Sequence, residues 1–247
     1  MTSEPLLYTL TEEKAPQIGL IVLQADETIE SDFRRLIPLE VDVLVSRVPS
    51  GTEVTAETLT AMEARLTAAA ARFPVSARFT AVGYACTSGT AQIGAAEVAR
   101  RIHDGTVTQA VTEPVTALIA ACRTLGLVRL ALLSPYVEPV SQRLRETLAA
   151  AGIETPAFGS FDVAEEARVA RIDGPSILRA TETVAAREKV DAVFLSCTNL
   201  RTLDAIPLLQ ERLGLPVLSS NLVLAWHLMH LAGAVAVDGM PSSPLYA

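Results

Sequence analysis

Short, mostly apolar runs alternate along this chain with stretches of helical period, and that alternation limits the fold more than any other feature. The runs fall at residues 18–23, 41–48, 79–84, 128–133, 154–158, 191–195 and 216–219. The intervening stretches predict helices over 29–36, 55–72, from just after Cys86 to about 103, 115–125, 137–151, 176–189, 203–213 and 221–232. In 55–72, for instance, Leu59, Met62, Leu66 and Ala69 share one helical face. Residues 161–171 read as an irregular loop with one helical turn. Strands that stay apolar at successive positions are covered on both faces, which is the pattern of parallel sheets flanked by helices. The expected fold is therefore α/β. In such sheets ligands bind beyond the carboxyl ends of the strands. Five polar turns are expected there: 24–28, 86–90, 134–136, 160–166 and 196–199, with Ser219-Ser220-Asn221 as a sixth candidate.

Two of those turns share a pattern. Val82-Gly83-Tyr84-Ala85-Cys86-Thr87-Ser88-Gly89-Thr90 runs from a strand into a helix-prone stretch, and Phe194-Leu195-Ser196-Cys197-Thr198-Asn199 does so again almost half a chain later. The repeat predicts two similar subdomains meeting across one pocket, each contributing a cysteine. A chain of 247 residues has room for two such units of about 120 residues. The expected division is an arm over 1–16, a first α/β subdomain over 17–108 with about 215–240, a second over 109–214, and a tail over 241–247. At a strand-to-helix turn, Thr87 or Ser88 can cap the helix. The positive end of the helix dipole then lies near the thiol and favours the reactive thiolate. Paired thiols suit abstraction of a weakly acidic α-proton with delivery on the opposite face, or attack on an activated alkene. The competing reading is two small apolar residues at the ends of buried strands, since cysteine is often buried. The matching Cys-Thr context favours function.

Thr87, Ser88, Thr198 and Asn199, with their backbone N–H groups, are candidate carboxylate ligands, although plain capping needs the same residues. Tyr136, after Ser134-Pro135 at a strand end, is a candidate donor to a carboxylate or enolate, against a wall residue as the bland alternative. His227 and His230 lie three apart on the last predicted helix without a third ligand, so no metal is expected. His103 compensates a helix dipole, and Cys122 reads as core. No Gly-x-Gly-x-x-Gly, Walker or Gly-x-Ser-x-Gly pattern is present, which argues against nucleotide use and an α/β-hydrolase. A formal net charge of −8 argues against nucleic acid and anionic membrane surfaces. No apolar run reaches the ~18 residues that span a bilayer. The start lacks the basic and apolar regions of a signal peptide, and three cysteines suit a reducing compartment, so a cytoplasmic location is expected.

At these residues the chain resembles the aspartate/glutamate/hydantoin racemase superfamily, within it the branch of maleate cis-trans isomerase and arylmalonate decarboxylase. The resemblance rests on Ile18-Gly19-Leu20-Ile21-Val22, Tyr84-Ala85-Cys86-Thr87-Ser88-Gly89, Ser134-Pro135-Tyr136, Ser196-Cys197-Thr198-Asn199 and Leu203-Asp204-Ala205-Ile206-Pro207. It implies two subdomains related by a pseudo-two-fold, a cleft site between them, no cofactor, a small carboxylate substrate and a homo-oligomer. It also implies that Cys86 attacks the alkene and Cys197 protonates the adduct if the chain is a maleate isomerase. If it is a racemase, the pair exchanges a proton across an α-carbon. The decarboxylases resemble the chain at Thr87, Ser88 and Tyr136 but keep only the second cysteine, so Cys86 speaks against simple decarboxylation. A non-catalytic binding protein on the same fold is the alternative from another class.

Two departures bear on substrate. Resembling maleate isomerases carry Asn in the first turn and in the 160s loop, where this chain has Asp26 and Glu165 or Glu166. A carboxylate in place of an amide repels a second carboxylate by ~1 kcal/mol or more at contact. Acids there suit an ammonium or amide N–H, as in an amino acid or an acylated one. The Gln24–Glu30 turn is also similar to members associated with ectoine breakdown. The expected chemistry is a cofactor-independent isomerisation or racemisation through Cys86 and Cys197, with Asp26, Thr87, Ser88, Tyr136, Glu166, Thr198 and Asn199 around the substrate.

Overall fold

Every apolar run forms a strand, and the strands sort into two parallel sheets of identical internal order. β1 (Gln17–Leu23), β2 (Asp42–Val48), β3 (Phe79–Ala85) and β4 (Thr108–Thr112) lie in the order β2-β1-β3-β4. β5 (Arg129–Ser134), β6 (Glu154–Ser160), β7 (Ala192–Leu195) and β8 (Val217–Ser219) lie in the order β6-β5-β7-β8. Strand for strand, the second sheet repeats the first, so β3 and β7 occupy equivalent inner positions. The computed structural model describes residues 6–11, 15–233 and 245. Apart from 245, the expected tail lies outside the described residues, as do positions 1–5 and 12–14 of the expected arm.

Parallel strands need long crossovers, and helices supply them. α1 (Ile29–Leu36), α2 (Ala56–Ala70), α3 (Thr87–Ile93) and α4 (Ala95–His103) connect the first four strands. α5 (Pro114–Leu125) leads to the second sheet, where α6 (Glu138–Ala150), α7 (Glu166–Val169), α8 (Gly174–Ala185) and α9 (Ala205–Leu213) follow. α10 (Ser220–Ala232) follows β8. Local chemistry sets these ends. Thr55 and Thr58 form a reciprocal capping box at α2. Glu113 caps α5 ahead of Pro114, and Gly126 closes that helix with φ 68°. β1, β3 and β7 are buried almost throughout, as strands covered on both faces must be.

Three details differ from the sequence reading. The single helix expected after Cys86 is two, because Gly94 adopts φ 95° and ψ 135°, a conformation that no helix continues through. Residues 109–112, assigned to the start of the second half, belong to β4, which closes the first sheet. Of residues 215–240, assigned to the first half, the described part to 233 divides: Val217–Ser219 pairs with β7, while α10 packs on β3, α5 and α1. A short apolar run fixes that a strand forms but not which neighbour it pairs with. α5 and α10, each following the fourth strand of its sheet, pack on one another and dock the halves. Among the described residues no helix is long and apolar enough to cross a membrane.

Candidate active site

All five polar turns expected at strand ends meet at one cavity between the sheets. It is lined by Asp26 beyond β1, Cys86, Thr87 and Ser88 beyond β3, Tyr136 beyond β5, Glu166 beyond β6, and Cys197 and Thr198 beyond β7. Leu23, Val54 and Leu59 supply an apolar wall. The free volume is only about 10 Å³. That is about the space of one water molecule and far below the ~300–1,000 Å³ of ligand pockets, so the side chains nearly meet across the site. Wider hollows along β2 and beside α8 hold none of these groups. Loops from the two halves close over the cavity. The Val54 N–H donates to the Ala164 carbonyl at 2.9 Å, the Glu166 N–H to the Thr52 carbonyl at 3.0 Å, and Arg171 pairs with Glu27 at 3.0 Å. Asp26, Cys86, Tyr136, Glu166 and Cys197 are each at most 6% exposed.

Cys86 itself is the N-cap of α3, and its Sγ accepts the Gly89 N–H at 3.1 Å. The capping expected of Thr87 or Ser88 is thus performed by the thiol. Only glycine fits at 89: a Cβ there would stand 2.8 Å from Sγ and 2.5 Å from the Tyr84 hydroxyl oxygen. Thr87 is free for another bond, and its hydroxyl lies 2.8 Å from that of Ser220. Cys197 does not start a helix. It adopts φ 102°, where a side chain is strained, and α9 begins only at Ala205. Its N–H donates to Ser220 Oγ at 2.9 Å, which ties both cysteine turns to the start of α10. Its Sγ accepts the Asn199 N–H at 3.2 Å and lies 2.9 Å from the Tyr136 hydroxyl. The Thr198 hydroxyl donates to the Ala85 carbonyl at 3.2 Å, another bond between halves.

The two acids differ. Asp26 Oδ1 accepts the Thr28 and Ile29 N–H groups at 2.8 and 2.9 Å, while Oδ2 is buried with no hydrogen-bond partner. Both oxygens of Glu166 are engaged: Tyr136 donates to Oε1 at 3.0 Å and Asn199 Nδ2 to Oε2 at 2.8 Å. Burial pushes both carboxyl groups above their usual range, against the pull of those hydrogen bonds.

Asn199, expected beside the substrate, does not line the cavity. Its Oδ1 accepts the Glu27 N–H at 2.9 Å and its Nδ2 braces Glu166. Burial works against the thiolate expected at the helix start. Burial lifts Cys86 to about 12 despite the Gly89 N–H, and it lifts Cys197 well above the ordinary thiol value, with Glu166 adding to both. A helix dipole contributes only a modest term; removing a thiolate from water outweighs it. The sequence reading missed Ser220 and Asn221 as braces, although the Ser-Ser-Asn run after a strand was visible. Asn221 Nδ2 donates to Asp32 Oδ2 at 2.7 Å and to the Thr198 carbonyl at 2.8 Å. Cys122 is core in α5, and the His227 ring bonds Thr112.

The family model described as arylmalonate decarboxylase matches residues 53–242. The arylmalonate decarboxylase of Bordetella bronchiseptica is 30% identical over 92% of this chain and 95% of its own. A maleate isomerase variant from Pseudomonas putida, solved with maleate, superposes with a TM-score of 0.83 at 21% identity, covering 94% of this chain and 98% of that one. A Nocardia farcinica maleate cis-trans isomerase variant carrying a covalently bound succinylcysteine intermediate gives 0.80 at 23% identity over 89% and 93% of the two chains.

Proposed function

The chain belongs to the arylmalonate decarboxylase family, whose relatives include maleate isomerases, and from that premise we propose that it is an isomerase or racemase of a small carboxylate. Its working groups are Cys86 and Cys197. The observation that carries this reading is that two thiols, from equivalent strands of two repeated sheets, wall the same enclosed cavity. A substrate between them meets sulfur on two sides. As thiolate, one sulfur takes an α-proton or adds to an alkene carbon. The other, as thiol, gives a proton to the resulting carbanion or enediolate. Thr87 and Ser88 at the start of α3 offer hydroxyl and N–H groups to the substrate carboxylate, where developing negative charge is also stabilised. Tyr136, in contact with Cys197, supports that charge from the other half. Leu23, Val54 and Leu59 offer an apolar face to a short hydrocarbon segment. Asp26 Oδ2, buried and unpartnered, favours a substrate that brings an N–H or ammonium to it over a second carboxylate.

Decarboxylation is the second reading, favoured by the family match over 53–242. It needs a single proton donor, which the Cys197–Tyr136 pair supplies, and it leaves Cys86 without a task. The test is a panel of maleate, arylmalonates, amino acids and N-acylamino acids incubated in deuterium oxide and followed by NMR. Deuterium at a stereocentre marks a racemase, loss of cis geometry an isomerase, and carbon dioxide release a decarboxylase. Full turnover by either Cys86→Ser or Cys197→Ser overturns the two-thiol reading.

A further inference from the structure

We propose that Glu166 is the proton acceptor for Cys197, working through the Tyr136 hydroxyl as a positioning residue for the proton, so that this carboxylate makes the second thiol reactive. The inference rests on the two-cysteine reading above and adds to it the origin of the thiolate. The chain of contacts is unbranched. Cys197 Sγ lies 2.9 Å from Tyr136 Oη, and Tyr136 Oη lies 3.0 Å from Glu166 Oε1. A phenol has one hydrogen. With that hydrogen on Glu166, Oη accepts from sulfur, and Cys197 is the donor. The reverse polarity uses the same heavy-atom positions: protonated Glu166 donates to Oη, and Oη–H donates to a thiolate. Passage between the two states breaks S–H and forms O–H at Tyr136, while the original Tyr136 hydrogen leaves for Oε1. One negative charge moves from carboxylate to sulfur, and no other reagent is required.

Three features make this more than a structural hydrogen bond. Asn199 fixes the far oxygen of Glu166 through Nδ2, and the Glu27 N–H fixes Asn199 in turn, so Oε1 is held toward Tyr136. Burial raises both ends of the chain, so the charge is costly at either and transfer between them adds little net desolvation. The titratable groups facing Glu166 are Tyr136, Cys197, Asp26 and, across the cavity, Cys86. Among the described residues no guanidinium or ammonium pairs with it to pin the charge on carboxylate. Cys86 has a phenol beside it but no carboxylate behind that phenol: its Sγ takes the Gly89 N–H and interacts with the Tyr84 hydroxyl, whose other partner is Met62 Sδ at 3.8 Å.

The test needs no substrate. Iodoacetamide labelling of each cysteine, resolved by peptide mass spectrometry, is followed from pH 5 to 9 in the full chain. The expected Cys197 profile rises through the carboxylate titration and levels near neutrality. In Glu166→Gln that acid-side rise disappears and labelling at pH 7 falls at least about tenfold, while Cys86 labelling stays within about twofold. Tyr136→Phe, which removes only the hydroxyl, gives the same loss should Glu166→Gln fold poorly. An unchanged Cys197 profile in both variants overturns the inference and leaves the two-cysteine reading standing. Complete inertness of both wild-type thiols overturns that reading and this inference with it.

Discussion

β3 and β7 occupy equivalent places in two repeated sheets and bring the same Cys-Thr pair to the same cavity, yet they present it differently. After β3 the backbone goes straight into α3, and Cys86 sits in an ordinary extended conformation with a helix N–H on its sulfur. After β7 the chain turns through φ 102° at Cys197 and runs as loop to α9. That turn is held from outside, by Ser220, by Asn221, and through Asn221 by Asp32 of the first half. The first thiol is supported by its own secondary structure. The second is supported by tertiary contacts and faces a tyrosine–carboxylate pair. A repeated framework has therefore produced an asymmetric pair of sulfurs. That suits a reaction in which one gives what the other takes.

The largest test asks whether both members of the pair are needed. Cys86→Ser and Cys197→Ser should each lower kcat/KM about 10³-fold or more, with unchanged circular dichroism. A serine variant at either position that keeps within tenfold of wild type would reduce the comparison to one working residue and one relic.

The next effect concerns how the second turn is held. Burial raises the Asp32 carboxyl from 3.8 to about 6, against the pull of the Asn221 amide. A raised acid binds its proton more tightly folded than unfolded. Its ionisation therefore erodes stability as pH climbs from about 4 to 6, with the full loss present above 6. The loss is bounded at about 3 kcal/mol. Asp32→Asn keeps an acceptor for Asn221 and removes the titration. Its melting temperature should match wild type near pH 4 and exceed it at pH 8. Equal curves at both pH values would show that burial does not raise the Asp32 carboxyl.

Backbone strain separates the turns further. Glycine relieves a left-handed φ, which a side chain holds at ~1–3 kcal/mol, and only loosens an extended one. Cys197→Gly should therefore destabilise the protein less than Cys86→Gly does, by about 1–3 kcal/mol in urea unfolding. Equal losses would mean that Cys197 is not strained.

Much of the framework was legible because its causes are local. Uninterrupted apolar runs specified β1, β3, β5 and β7, and the polar turns beyond them gave the cavity wall from Asp26 to Thr198. What escaped depends on contacts between distant segments. The left-handed conformation of Cys197 is held by Ser220, far along the chain, so the turn read as a match for that of Cys86 although the helix after it was expected only from 203. The upward pull of burial on both thiols comes from their place between two sheets, which no motif encodes. The side of the molecule that Val217–Ser219 joins depends on pairing with β7, and the role of Asn199 as a brace depends on Glu27 and Glu166 converging on it.

The smallest effect separates the acids of the two halves. Glu166 has both oxygens engaged by protein donors, so its charge serves the neighbouring thiol. Asp26 uses Oδ1 to hold the start of α1 and leaves Oδ2 buried without a hydrogen-bond partner, with the Thr198 side chain near the carboxyl. Asparagine keeps the first role, since its carbonyl caps as well as a carboxylate does, and it turns the second oxygen into an N–H donor. Asp26→Asn should thus change recognition and little else. KM for a substrate presenting an ammonium or amide N–H should rise about tenfold, the worth of one hydrogen bond to a charged group. KM for a dicarboxylate should fall by a similar factor, with kcat and melting temperature nearly unchanged. If the dicarboxylate is instead bound more weakly by the variant, Asp26 is protonated and donating in the native site. The free oxygen of the first half would then recognise an acid, and the two halves would hold the two ends of a symmetrical substrate.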